Sequence, residues 1–229
     1  MTALLTLTDV SMHFSREADS RYAVFGGINL TVGAGECVAL VGRNGSGKST
    51  LLRVMAKIFA PTSGSVSWAP GVAVSLLTLG LGFRPDLSGR DNAYLSCLLM
   101  GLARDEATQS LSEIEAFCDL GTFFDEPVRS YSAGMRARLG FGTALMNRSQ
   151  VILIDETLSV GDQQFREKAR EALERELAGD RSVVLVSHAE QQVQRLCQRA
   201  VLLENGVIAA EGSPDEVLAA YATANSKTH

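Results

Sequence analysis

Nine consecutive residues constrain this chain more than any others: Gly42-Arg43-Asn44-Gly45-Ser46-Gly47-Lys48-Ser49-Thr50. They fit the pattern G-x-x-x-x-G-K-[ST], directly after the apolar run Cys37–Val41 and before a helix-forming stretch, Ser49–Ile58. A buried strand that delivers a glycine-rich loop to a helix start leaves few architectures, chiefly a parallel sheet covered by helices. In such a loop the glycines let backbone N–H groups curl around a phosphate, and the helix start adds partial positive charge. Lys48 is placed to bridge phosphates and the Ser49 hydroxyl suits Mg²⁺. All nine residues are therefore assigned to nucleotide binding.

The rest of the chain agrees with that sheet. Leu5–Thr8 and Ile28–Val32 alternate as antiparallel strands do, with turns read at Gly26-Gly27 and Gly33-Ala34-Gly35. Beyond Glu36, short apolar runs alternate with helical ones: Val151–Ile154 then Gln163–Leu177, and Val183–Val186 then Ala189–Arg199. A helical lobe spans roughly 87–147, a hairpin closes around Asn205-Gly206, and a last helix follows Ser213-Pro214. The fold class is α/β: a mixed-sheet core, an antiparallel β subdomain and an inserted helical lobe, forming one domain over 1–229.

Composition narrows the function. With 21 basic against 26 acidic side chains in 229 residues the net charge is −5, which excludes a nucleic-acid footprint. Four cysteines, with no C-x-x-C pair, read as reduced core or surface thiols. The start, MTALLTLTDV, lacks a basic segment and a long apolar core, so no signal peptide is expected. The apolar stretches are too short to span a bilayer, and any membrane work requires another chain. Trp68 and the pair Phe123-Phe124 read as packing residues rather than a sugar platform.

Asp155 and Glu156 stand where strand Val151–Ile154 ends, the edge at which open α/β sheets bind ligands. Asp155 is assigned to Mg²⁺ and Glu156 to polarising a water for in-line attack on a γ-phosphate. Ser132 and Gly134, in Tyr131-Ser132-Ala133-Gly134-Met135-Arg136, open a helix that leads back towards this strand.

With those motifs in place, the sequence resembles the nucleotide-binding subunits of ABC transporters over essentially the whole chain. That resemblance implies ATP as the nucleotide, with Ser132 and Gly134 standing in the signature L-S-G-G-Q that caps the γ-phosphate on an opposite subunit. It implies a head-to-tail dimer with a second copy. Ser159-Val160-Gly161-Asp162 takes the place of the D-loop, and His188, after Ser187, that of the histidine contacting the γ-phosphate. Phe14 or Tyr22 serves as the aromatic against adenine.

Within that family, Tyr131 to Gly161 looks most like subunits that energise export of capsule or O-antigen polysaccharide. This implies an ABC-2 type permease as partner, a lipid-linked polysaccharide as cargo, and a place on the cytoplasmic face of the inner membrane. The stretch Gly80–Asn92, similar to an L-T-G-R-E-N loop of that group, is expected to face the permease. Ser15–Arg21 is expected as an exposed loop near the membrane entrance. Only nineteen residues follow Ala210, so no C-terminal carbohydrate-binding domain is expected. Three departures stand out: no Gln occurs between Gly71 and Met100, leaving Leu79 or Arg84 near its place; Met135 and Ala133 replace signature residues; and Ser-Val-Gly-Asp replaces S-A-L-D. The alternative class is a soluble ABC-type ATPase acting as a regulatory switch. The absence of a second cassette and of coiled-coil insertions weighs against it.

Overall fold

Strand-forming and helix-forming stretches follow one another as β1 (Ala3–Ser15), β2 (Arg21–Gly33), β3 (Cys37–Val41), α1 (Lys48–Met55), β4 (Ser63–Trp68) and β5 (Val74–Leu77). Then come α2 (Gly89–Leu99), α3 (Arg104–Cys118), α4 (Ala133–Leu145), β6 (Val151–Asp155) and α5 (Gln163–Leu177). The chain ends with β7 (Ser182–Val186), α6 (Glu190–Leu196), β8 (Arg199–Glu204), β9 (Val207–Gly212) and α7 (Pro214–Ser226). The computed structural model describes residues 2–15, 21–77, 82–146, 149–155, 162–177, 179, 181–187 and 189–226.

Two compact units result. The first draws on Met1–Leu76, Ser149–Glu156 and Glu176–His229. Its larger sheet has the order β5-β6-β7-β3-β8-β9, with β6, β7, β3 and β8 parallel and β9 antiparallel to β8. Strand β3 is buried along its whole length, as a run with no polar face requires. A three-stranded antiparallel sheet, β2-β1-β4, shares its core, where Leu5, Ile28, Leu40, Leu52, Leu153 and Val184 are completely or almost completely buried. Each such side chain contributes roughly 1.5–3 kcal/mol through burial.

The structure adds to and corrects the sequence reading here. Strands β4 and β5 have no counterpart in it, because Ser-Gly-Ser-Val-Ser-Trp is a largely exposed edge strand and carries little apolar alternation. Gly26-Gly27 is not a turn between strands. It lies inside β2, where the register with β1 shifts and Gly27 adopts φ 66°, so the glycines bend a long ribbon. Folding also joins cysteines that are distant in sequence: Sγ of Cys37 and Sγ of Cys197 lie 3.1 Å apart. That thiol contact, with burial, pushes the Cys37 pKa upward. All four cysteines are free and buried.

The second unit takes in Leu77–Arg148 and Thr157–Arg175. Helices α2, α3 and α4 pack around Ala93, Ile114, Phe124 and Leu139. Rings of Phe117, Phe141 and Phe165 meet at 5.7–6.2 Å and seat α5 on α3 and α4. Phe124 is fully buried, but Phe123 is 47% exposed, so the expectation of packing holds for one member of that pair. Within the short helical turn Gly121–Asp125, consecutive side chains point in different directions.

Back in the first unit, one polar cluster fixes the approach to β3. Glu36 accepts hydrogen bonds from Arg199 Nε at 2.7 Å and from the Gly33 N–H at 2.8 Å, tying the turn before β3 to β8. Burial raises the Glu36 pKa, but the Arg199 guanidinium and the Gly33 N–H outweigh it and hold the carboxyl below its ordinary value. A depressed carboxyl stabilises the fold above the ordinary glutamate range, and that contribution disappears as the pH falls through the folded-state pKa. Glu36→Gln should therefore cost about 1.5–3 kcal/mol near neutrality, the scale of a charge-assisted hydrogen bond. Chemical denaturation of both proteins at pH 7 and pH 3 checks this; the difference should shrink towards zero at the lower pH.

Candidate functional site

Backbone crowding shapes the glycine loop in the first unit. A Cβ on Gly42 would lie 2.2 Å from the Leu203 carbonyl oxygen and 2.9 Å from Ser46 Oγ. Gly47, at φ 102°, precedes Lys48 at the start of α1, and a Cβ there would sit 3.0 Å from Val24. The Lys48 ammonium is almost fully buried and donates to the Gly42 and Arg43 carbonyls at 2.6 and 2.8 Å. Buried charge must be partnered. The loop's own carbonyls do this and fix the ammonium beneath the loop. Ser46 Oγ is buried with no hydrogen-bond partner, a donor waiting inside a loop suited to phosphate oxygens.

Across from α1, Ser49 Oγ donates to Asp155 Oδ1 at 3.1 Å. The structure thus joins residues 106 positions apart in sequence. A hydroxyl and a carboxylate form the hard-oxygen pair that Mg²⁺ takes. Among the described residues there is no cluster of three or more His, Cys, Asp or Glu. A Mg²⁺ at Ser49 and Asp155 would complete its shell with phosphate oxygens and water, and would supply charge neutralisation to the phosphate.

A cleft of about 270 Å³ opens here, lined by Lys48, Ser49, Asp155 and Val186 and walled by Phe14 and Tyr22. The two aromatics are direct cross-strand partners, both exposed. The Phe14 ring meets Phe59 edge-on at 5.8 Å, and the Arg53 guanidinium lies 5.9 Å from the Phe59 ring. Tyr22 also borders an adjoining cleft of about 450 Å³ shared with Arg43, Ser46 and Asn205. Phe59 and Arg53 had not been singled out in the sequence. They lie at and after the end of α1, where the pattern signals only a helix.

The signature segment lies in the second unit. Ser132 caps α4, its Oγ accepting the Met135 N–H at 3.2 Å. Gly134 answers no steric demand within the chain, since a Cβ there would meet only Ser132 Oγ, at 3.8 Å. Beside them a hollow of about 330 Å³ is lined by Phe123, Met135, Arg138 and Asp162. Asp162 accepts the Phe165 N–H at 2.8 Å at the start of α5 and pairs with Arg138, and both interactions lower its pKa.

Glu156, Ser159–Gly161, His188 and Leu79 lie outside the described residues. Next to His188, the Ser187 hydroxyl donates to Gln192 Oε1 at 2.7 Å and accepts the Ala189 N–H at 3.1 Å. Arg84 has its backbone N–H and carbonyl both bonded to the Asn92 side chain.

This arrangement of loop, lysine, hydroxyl and carboxylate has known counterparts. The sequence pattern of the ABC transporter family matches residues 25–159. The chain is 42% identical to the O-antigen export system ATP-binding protein RfbB of Myxococcus xanthus, over 93% of this chain and 48% of that one. It is 41% identical to RfbB of Klebsiella pneumoniae, over 88% of this chain and 81% of that one. It therefore spans about half the length of the Myxococcus relative and four-fifths of the Klebsiella one. The teichoic acids export ATP-binding protein TagH of Shouchella clausii is 34% identical over 90% of this chain and 57% of its own length. A dimeric ATP-binding cassette in a post-hydrolysis state, bound to ADP and Pi, superposes with a TM-score of 0.80 at 21% identity, covering 92% of this chain and 99% of that one. The fold is thus that of an ABC ATP-binding domain, no described helix is long and apolar enough to cross a membrane, and the chain belongs to the ABC transporter family.

Proposed function

We propose that this chain is the ATP-hydrolysing subunit of an ABC exporter that moves a lipid-linked surface polysaccharide, of capsule or O-antigen type, across the bacterial inner membrane. The observation that carries the hydrolytic half is the Ser49–Asp155 contact beside the buried Lys48. Export rests on the likeness to O-antigen export subunits over about nine-tenths of the chain. The site residues act together. Gly42 to Thr50 wrap the phosphates, and Lys48 neutralises them. Ser49 and Asp155 hold Mg²⁺, and Phe14 or Tyr22 stacks on adenine. Glu156 takes the proton of a water whose oxygen bonds to the γ-phosphorus as the bond to the bridging oxygen of ADP breaks, and His188 contacts the γ-phosphate.

Residues 1–229 act as one ATP-binding domain with the helical lobe at about 87–147. Ser132 and Gly134 serve the ATP held by a second copy, head to tail. An exposed hydroxyl and a glycine with open space above it, at a helix start, suit an anion brought from outside the chain. The membrane partner is an ABC-2 type permease, and the subunit works on the cytoplasmic face through it. No observation favours a transport-independent switch.

Glu156→Gln should bind ATP with near-unchanged affinity while hydrolysis falls about 10²–10⁴-fold, the usual loss with a general base. Steady-state phosphate release and equilibrium nucleotide binding measure the two effects, and wild-type turnover would remove Glu156 from this role. Lys48→Ala should lose binding itself. Mixing inactive Lys48→Ala with inactive Gly134→Asp leaves one intact composite site in each mixed dimer, so ATPase activity should reappear. Mixed dimers that form and stay silent would contradict a shared site.

A further inference from the structure

The loop leading into α2 is unusually tightly held. Asn92 is 2% exposed, and a buried amide is costly unless every polar atom is bonded. Its Oδ1 accepts the Arg84 N–H at 2.7 Å, and its Nδ2 donates to the carbonyls of Arg84, Leu87 and Ser88 at 2.9–3.2 Å. These bonds close residues 84–88 into a fixed turn rather than joining helix to helix.

That turn is sewn to the strand-like segment before the signature. Gly89 N–H donates to the Glu126 carbonyl at 3.2 Å, Val128 N–H to Leu87 at 2.9 Å and Arg129 N–H to Pro85 at 2.9 Å. Ser88 and Pro127 form an antiparallel bridge. At its far end the Tyr131 hydroxyl donates to the Phe123 carbonyl at 2.6 Å, and its ring fills the space over Gly89, where a Cβ would lie 2.1 Å from Tyr131 Oη. Arg136 holds the Tyr131 carbonyl at 2.8 Å. The next residue is Ser132, the cap of α4. A continuous hydrogen-bonded path therefore runs from Arg84 to Met135 inside one unit. Buried, fully bonded networks of this kind are stiff, so a displacement at one end is passed on rather than absorbed.

We propose that this ladder, Arg84–Gly89 against Glu126–Tyr131, relays movement at the permease-facing turn to Ser132 and Gly134, with Asn92 and Tyr131 as its positioning residues. The proposal rests on the reading of Gly80–Asn92 as the face that meets the permease. It explains the run Leu87-Ser88-Gly89-Arg90-Asp91-Asn92 residue by residue. Ser88 caps α2, Gly89 admits Tyr131, Arg90 pairs with Asp125 and Glu115 on the lobe, and Asn92 locks the turn.

The test uses the chain copurified with its permease in lipid vesicles, beside the chain alone. Tyr131→Phe removes one hydroxyl and keeps the ring; Asn92→Ser removes the lock. Both should leave the KM for ATP and the basal rate of the chain alone within about twofold, while the permease-dependent change in ATPase rate falls about fivefold or more, the lower range of coupling between sites. Hydrogen exchange supplies a second reading on the isolated chain. ATP should slow the N–H groups of Gly89, Val128 and Arg129 together with Ser132–Met135, and Tyr131→Phe should lose this joint response. If wild type responds to the permease and both variants respond equally, the relay is overturned while export stands. If basal and permease-dependent rates fall in proportion with a lowered melting temperature, the ladder is structural only and the proposal fails. A wild-type chain indifferent to the permease would sink the export reading and the relay with it.

Discussion

The structure of the nucleotide site depends on how closely one backbone can approach another at Gly42. There the chain leaves β3 and turns beneath the Leu203 carbonyl, leaving no room for a Cβ. The same absence recurs at Gly206, where a Cβ would lie 2.9 Å from the Val24 carbonyl, and at Gly47 against the Val24 side chain. These contacts draw β2, β8 and the hairpin after β8 onto the loop, and they leave its N–H groups turned towards the cleft rather than spent on a ladder. The surrounding sheets supply the rigidity that holds so tight a turn in place.

Lys48 shows the electrostatic side of that constraint. An ammonium so deeply buried costs several kcal/mol unless it is bonded, and here the partners are the carbonyls of the loop it serves. The charge is stored close to where phosphate arrives, so little side-chain reorganisation is needed on binding. Ser49 and Asp155 are likewise in contact before any metal is present. Preorganisation of this kind lets a loop with few side-chain donors select triply charged phosphate over neutral ligands.

Much of this was legible in the sequence because the signals are local. A five-residue apolar strand, a glycine-rich loop and a lysine at a helix start announce themselves within fourteen residues, Cys37 to Thr50. Parallel strands β6 and β7 were equally plain as runs without a polar face. What escaped was non-local or weakly patterned. Edge strands β4 and β5 carry little alternation, the Gly26-Gly27 bulge looks like a turn, and the pairing of Cys37 with Cys197 spans 160 positions. The Phe59–Phe14 contact and the four bonds of Asn92 likewise depend on where loops end up, which periodicity does not encode.

The glycines divide into two kinds, and the division bears on mechanism. Gly42, Gly47, Gly89 and Gly142 are each explained inside the chain, since a Cβ at any of them would strike a neighbour at 3.0 Å or less. Gly134 is different. It occupies the first turn of α4, where glycine costs roughly 0.5–1 kcal/mol against alanine, and nothing in the fold would be disturbed by a side chain there. A residue that weakens its own helix without relieving any internal contact is accounted for by something that approaches from outside. Beside the exposed Ser132 hydroxyl and the free N–H groups of a helix start, the chemistry that fits is a phosphate, and the chain's own loop already holds its phosphate in the other unit. A second copy bringing its nucleotide to Ser132 and Gly134 satisfies both requirements. The bare glycine is thus the intrachain trace of an intermolecular site.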